Sequence, residues 1–90
     1  MNRDQYFQVR KEKREYLGER YFRFNWDAEK VVQVCLNNGS EFRRGKTNTI
    51  GVYLIHKMTL MSNYMAMNYV EPVTKAKFDK KFMEAVRMLK

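Results

Sequence analysis

Residues 49–70, TIGVYLIHKMTLMSNYMAMNYV, are the longest apolar run in the chain, and after Lys57 they carry no charge for thirteen residues. Every other stretch is short, charged or both, so the fold turns on how this one is read. Ile50, Leu54, Met58, Met61 and Met65 recur at steps of four, four, three and four. That spacing keeps side chains on one face of a helix. Asn48 or Thr49 supplies a cap at the start, and Pro72 ends the helix by driving Glu71 towards an extended conformation. A second apolar set, Tyr53, Leu60, Tyr64 and Met67, lies off the first face. A helix apolar on most sides must be covered on most sides, by the rest of the chain or by a second copy. A strand over residues 49–56 competes with this, because that part is rich in β-branched and aromatic residues. A membrane span does not fit: a lysine at the centre of a spanning helix costs about 2.5–3.5 kcal/mol.

On the N-terminal side of this run, residues 27–39 carry the clearest helical spacing. Ala28, Val31, Val32, Cys35 and Leu36 follow steps of three and four, Asp27 suits an N-cap, and Asn38-Gly39 suits a stop. Residues 2–17 also read as a helix, with Tyr6, Val9, Tyr16 and Leu17 inward and basic side chains outward. Between the two, Phe22, Phe24 and Trp26 alternate with Arg23 and Asn25, a period of two that suits a strand over 20–26. On the C-terminal side, Phe78, Phe82, Ala85, Val86 and Leu89 stripe a last helix over 75–89, with Thr74 as its cap. The expected fold is therefore mainly α, three or four helices around a central apolar helix at 49–70. The alternative is α+β, with strands at 20–26 and 49–56.

Ninety residues suit one domain, 1–90, with a thin core. Self-association would thicken it, and Tyr53, Met58, Met61, Tyr64 and Met65 are the expected interface, because Met and Tyr recur at adaptable binding surfaces. Cys35 is the sole cysteine, so no disulfide forms within the chain; the charged opening MNRDQYFQVRKEKRE is unlike a signal peptide. Both suit a reducing cytoplasm, with no membrane attachment.

Eighteen Lys and Arg against ten Asp and Glu leave a net charge of +8, which favours polyanionic partners. Most basic runs are diluted by acids, but residues 42–57 carry four positive charges and none negative. Within them, Gly45-Lys46-Thr47 matches the end of a phosphate loop, G-x-x-x-x-G-K-[ST]. The first glycine of that motif belongs at position 40, which is Ser40, so the motif fails. Its physics survives: a basic loop feeding a helix N-terminus offers free N–H groups and cationic side chains to an anion. Arg43, Arg44, Lys46 and Thr47 are the expected anion-binding residues, supported by Lys75 and Lys77.

Catalysis is not expected. Cys35 sits on an apolar face and His56 is the sole histidine, with no third ligand or base at a useful spacing. No metal ligands and no cofactor are expected. The chain thus reads as a small, basic, non-enzymatic binding protein that contacts nucleic acid or another phosphate-bearing ligand through the basic loop. The alternative is a protein-interaction module, a regulator, inhibitor or assembly factor such as a virus or mobile element carries, acting through its Met/Tyr surface as a homo-oligomer.

Overall fold

The computed structural model describes residues 3–43 and 50–88, the side chains of Phe42 and Arg43 excepted. The chain runs β1 (Gln5–Val9), a 3-10 turn (Lys11–Lys13), α1 (Arg14–Leu17), β2 (Glu19–Phe24), β3 (Lys30–Asn37) and α2 (Gly39–Arg43). It continues with β4 (Gly51–His56), α3 (Lys57–Leu60), a π-helical turn (Met61–Met65), β5 (Val70–Pro72) and α4 (Lys75–Met88). The five strands form one sheet in the order β4-β3-β2-β1-β5, and every pair is antiparallel. The mainly α expectation is therefore wrong: an antiparallel sheet with one long C-terminal helix takes its place. The α+β alternative also falls short, because it assigned no strand to β1, β3 or β5.

The segment with the clearest helical spacing is the central strand. β3 pairs with β2 on one side and β4 on the other. Val31, Gln33, Val34 and Cys35 are all buried, so both faces of β3 are covered. A strand covered on both faces loses its alternation and becomes a near-continuous apolar run. Such a run matches steps of three and four by accident. The β-branched content of VVQVC is the truer signal, since branching at Cβ favours the pleated backbone. Asp27 caps nothing here: its N–H donates to Asn25 Oδ1 at 2.8 Å, in the tight turn that joins β2 to β3.

The 49–70 run is divided rather than continuous. β4 ends where Lys57 N–H donates to Glu29 C=O at 2.9 Å, the last bond of its ladder with β3. His56 then turns the chain into α3, its Nδ1 accepting from Met58 N–H at 3.1 Å as a cap. Leu60 and Tyr64, one turn apart, lie over Phe22, with the Tyr64 and Phe22 rings 5.0 Å apart. Asn68, at φ 58°, reverses the chain into β5.

The connection from β4 to β5 thus crosses one face of the sheet from edge to edge, and α4 packs on the other face. The first face buries Val9, Phe22, Phe24, Val31, Leu60 and Val70. The second buries Tyr21, Val34, Phe78 and Ala85, with Tyr6 and Phe82 against them. Here the spacing of Phe78, Phe82 and Ala85 does mark a helix, and Thr74 Oγ1 accepts from Lys77 N–H at 3.1 Å. Two glycines close the N-terminal end of the first layer. Gly18 (φ 88°) and Gly39 (φ 73°) lie against one another: a Cβ on Gly18 would overlap the Asn37 carbonyl oxygen, and one on Gly39 the Gly18 nitrogen.

Candidate ligand cleft

The covering of the first face is incomplete. Between α1 and α2 on one side and the α3–π segment on the other lies a cleft of about 610 Å³. Arg20, Gln33 and Ile55 come from the sheet, Tyr16, Leu17 and Glu41 from one side, and Thr59, Ser62, Asn63, Tyr64, Met67 and Tyr69 from the other. Polar residues in the middle of a sheet need a reason, since burying them without partners is costly. Arg20 is 1% exposed. Its Nε donates to the Leu17 carbonyl at 2.7 Å and an Nη to the Asn38 carbonyl at 3.3 Å. It therefore ties the end of α1 to the loop after β3 and sets a guanidinium at the bottom of the cleft.

The wall opposite is shaped by a widened helical turn. Ala66 N–H bonds to Met61 C=O at 2.8 Å and Tyr69 N–H to Tyr64 C=O at 2.9 Å, both over five residues instead of four. Such π-type turns are rare and concentrate at functional sites. Arg10 fixes the far end of this wall, donating to the Asn68 backbone oxygen and to its side-chain Oδ1, each at 3.0 Å. Lys13 Nζ lies 5.0 Å from the centre of the Tyr69 ring, a cation–π contact. The basic segment 10–14 is thus fastened to the edge of the cleft. Tyr16 stands 45% exposed at its mouth. Burial pushes the Tyr64 phenol above the usual tyrosine range, and does the same at Tyr53, where Cys35 adds and Arg20 opposes. Both stay protonated at neutral pH, and the buried Tyr53 hydroxyl has no hydrogen-bond partner among the described residues.

The described members of the expected site lie on both faces of the sheet. Arg44, Lys46 and Thr47 lie outside the described residues, as does the side chain of Arg43, whose backbone ends α2. Lys75 and Lys77 are exposed in the first turn of α4, on the other face of the sheet. Lys75 pairs there with Asp79 at 2.7 Å. Of the expected interface, Tyr64 is buried and lines the cleft, while Met61 and Met65 are half-buried. Met58 is 51% exposed, and Tyr53 is partly buried on β4. The residues that sequence reasoning missed are Arg20, Gln33, Tyr16, Ser62, Asn63 and Tyr69. A signal for Arg20 existed in its position: it falls on the same strand face as Phe22 and Phe24, which are both fully buried.

Among the described residues, no three His, Cys, Asp or Glu side chains come together as a metal site. Cys35 is buried, its Sγ 3.3 Å from the Asn37 carbonyl oxygen, and His56 serves as the α3 cap. No helix among the described residues is long and apolar enough to cross a membrane. Comparison with family models, with curated proteins and with solved structures finds no match.

Proposed function

We propose that this protein is a small basic binder of a phosphate-bearing ligand, a single nucleic acid strand above all, held across the cleft without chemistry. The carrying observation is the composition of the cleft. Tyr16 and Tyr69 offer rings, Ser62, Asn63 and Gln33 offer hydrogen bonds, and the Arg20 guanidinium underlies them. Rings combined with positive charge are what single strands use, bases stacking and phosphates pairing. The chain's charge of +8 supplies the long-range attraction. α2 brings Glu41 to the cleft, and the acid-free stretch with Arg44, Lys46 and Thr47 follows it in the sequence. Holding is favoured over reacting because the lining contributes hydroxyls, amides, one guanidinium and one carboxylate, with no histidine or thiol.

A titration of a labelled single-stranded oligonucleotide at about 150 mM salt tests this. Tyr16→Ala should weaken binding by about 1–3 kcal/mol, the worth of one stacked base. Replacing Arg43, Arg44 and Lys46 together by Ala should flatten the salt dependence by about 0.7 per lost phosphate contact. Absence of binding by the wild type would end the proposal and favour the second reading, a protein-interaction module. That reading draws support from Met58 and Met67, which stand 51% and 56% exposed in the segment that connects β4 to β5.

A further inference from the structure

We propose that β4 is a pairing edge, and that its partner is β4 of a second copy, antiparallel across a two-fold axis at Leu54. The evidence begins with the ladder. Lys57 and Glu29 are directly opposite and hydrogen-bonded, so the residues of β4 that bond to β3 are Gly51, Tyr53 and Ile55. The N–H and C=O groups of Val52, Leu54 and His56 therefore point away from the sheet. β4 is the outermost strand, and among the described residues the Val52 and Leu54 backbone groups and the His56 N–H have no hydrogen-bond partner, while the His56 carbonyl, at the cap of α3, accepts the first bond of that helix. Native sheets protect such an edge with lysine, proline, a bulge or a very short strand. β4 has none of these: GVYLIH is six residues long, with no proline, no lysine and an unbroken register. The opposite edge is blunted, since β5 is three residues long and ends in Pro72.

The side chains point to the same partner. Leu54 is 68% exposed, the most exposed large apolar residue among those described, and it stands at the middle of the strand. Outward backbone groups at 52, 54 and 56 are symmetrical about Leu54. A two-fold there sets Leu54 against its own copy and Val52 against His56, so the Leu54 N–H and C=O, the Val52 carbonyl and the His56 N–H find partners on both strands. No Lys, Arg, Asp or Glu occurs in β4, so no like charges are set opposite one another along it. An isologous contact of this kind closes after two copies. It would join two sheets into one of ten strands with both α4 helices on the same face. Val52, Leu54 and His56 do not line the cleft, to which β4 contributes Ile55, and the pairing responds to salt oppositely to a phosphate contact. Two chains of +8 repel, so added salt should promote the pairing, whereas it weakens a phosphate contact.

Sedimentation velocity up to about 200 µM, where a weak homodimer becomes populated by mass action, is the test. The wild type should approach twice 11.0 kDa, more readily at high salt than at low. Leu54→Lys should return the mass to that of one chain with an unchanged circular dichroism spectrum, because the side chain is exposed. Hydrogen exchange on the wild type gives a readout with no mutation. The amides of Leu54 and His56 should gain protection with concentration, while those of Tyr53 and Ile55 stay protected throughout. A wild type that stays monomeric at high salt overturns the proposal. So does a dimer that survives Leu54→Lys, which would move the contact to another surface such as Met58. Uniform protection changes across β4, without the alternation, would overturn it as well.

Discussion

β3 and α4 present almost the same apolar spacing and take opposite structures. In residues 28–36 the apolar positions at helical spacing are Ala28, Val31, Val32, Cys35 and Leu36; in α4 they include Phe78, Phe82, Ala85 and Val86. The difference lies at the positions between. In α4 those are Lys77, Asp79, Lys80 and Arg87, all exposed. In β3 they include Gln33 and Val34, both buried. A helical stripe carries information only when the opposite side is polar for several turns, as it is in α4. In β3 the opposite side is a second core. Composition agrees: α4 holds four Lys, two Ala and two Met in fourteen residues, whereas β3 holds three valines in eight.

The strongest way to break this contrast is Val34→Asp. On a helix with the apolar stripe of residues 28–36, position 34 would face solvent, and the change would cost within about 0.5 kcal/mol. In the sheet it puts an unpaired charge against Phe78 and Ala85. A loss of at least about 3 kcal/mol is expected, a large part of a stability of about 5–15 kcal/mol, read from urea unfolding. Lys80→Asp, at an exposed position of α4, is the matched control and should hardly register. Tolerance of Val34→Asp would remove the doubly covered strand.

Next in size is the closure at the end of β3. Gly18→Ala places a methyl group on the Asn37 carbonyl, at a backbone conformation (φ 88°, ψ −177°) that side chains avoid. About 1–3 kcal/mol for the conformation alone, plus the overlap, should appear as a lowered urea midpoint. An unchanged midpoint would mean that β3 does not end against Gly18.

The link between α4 and the sheet gives a smaller, pH-dependent effect. Lys81 lies 3.2 Å from both Glu19 and Glu84, and the Tyr21 hydroxyl donates to Glu19 at 2.6 Å. Burial pushes the Glu19 carboxyl up, but the Tyr21 and Lys81 hydrogen bonds outweigh it and hold its pKa below the ordinary 4.5. Burial likewise pushes Lys81 down, and the bonds with Glu84 and Glu19 more than reverse this, above 10.5. The carboxylate contributes stability above its ordinary pKa and loses it as pH falls through its folded value. The ammonium contributes below its ordinary pKa and loses it as pH rises through its folded value. The pair is therefore fully effective between the two ordinary values. A double-mutant cycle with Glu19→Gln and Lys81→Met should give a coupling of about 0.2–1 kcal/mol at neutral pH, fading in acid. A coupling independent of pH would refute the ionic link.

The smallest effect isolates local preference. A peptide of residues 73–90 should show weak helical circular dichroism, since fourteen helical residues are marginal alone. A peptide of residues 27–39 should show none. Helix in the second peptide would mean that β3 is held extended only by its neighbours.

The cleft was less legible than the fold. The alternation with Phe22 and Phe24 places Arg20 on the buried face of β2, but the partners that make its burial possible, the Leu17 and Asn38 carbonyls, reach it from two loops and are not legible locally. Tyr16 and Tyr69 lie 53 positions apart and meet only because the chain crosses the sheet between β4 and β5. The alternation of Phe22 and Phe24 was readable, since β2 buries both on one side. The breakpoint at His56 was readable only as the end of the competing strand over 49–56; the cap on Met58 that turns the chain into α3 forms once the Lys57–Glu29 bond ends the strand.

By itself the sequence determined the α4 helix, the surplus of positive charge and the apolar character of 49–70 and of the valine-rich segment. These rest on composition and on contacts within a few residues, which a linear reading can weigh. Tertiary structure decided that β3 is the central strand covered on both faces, that 49–70 breaks at His56 instead of continuing as one helix, and that Arg20 lies beneath a cleft. Each of those depends on pairing between segments distant in the chain. Backbone groups must find partners wherever the apolar surfaces are buried, and which partner is within reach is a property of the assembled sheet.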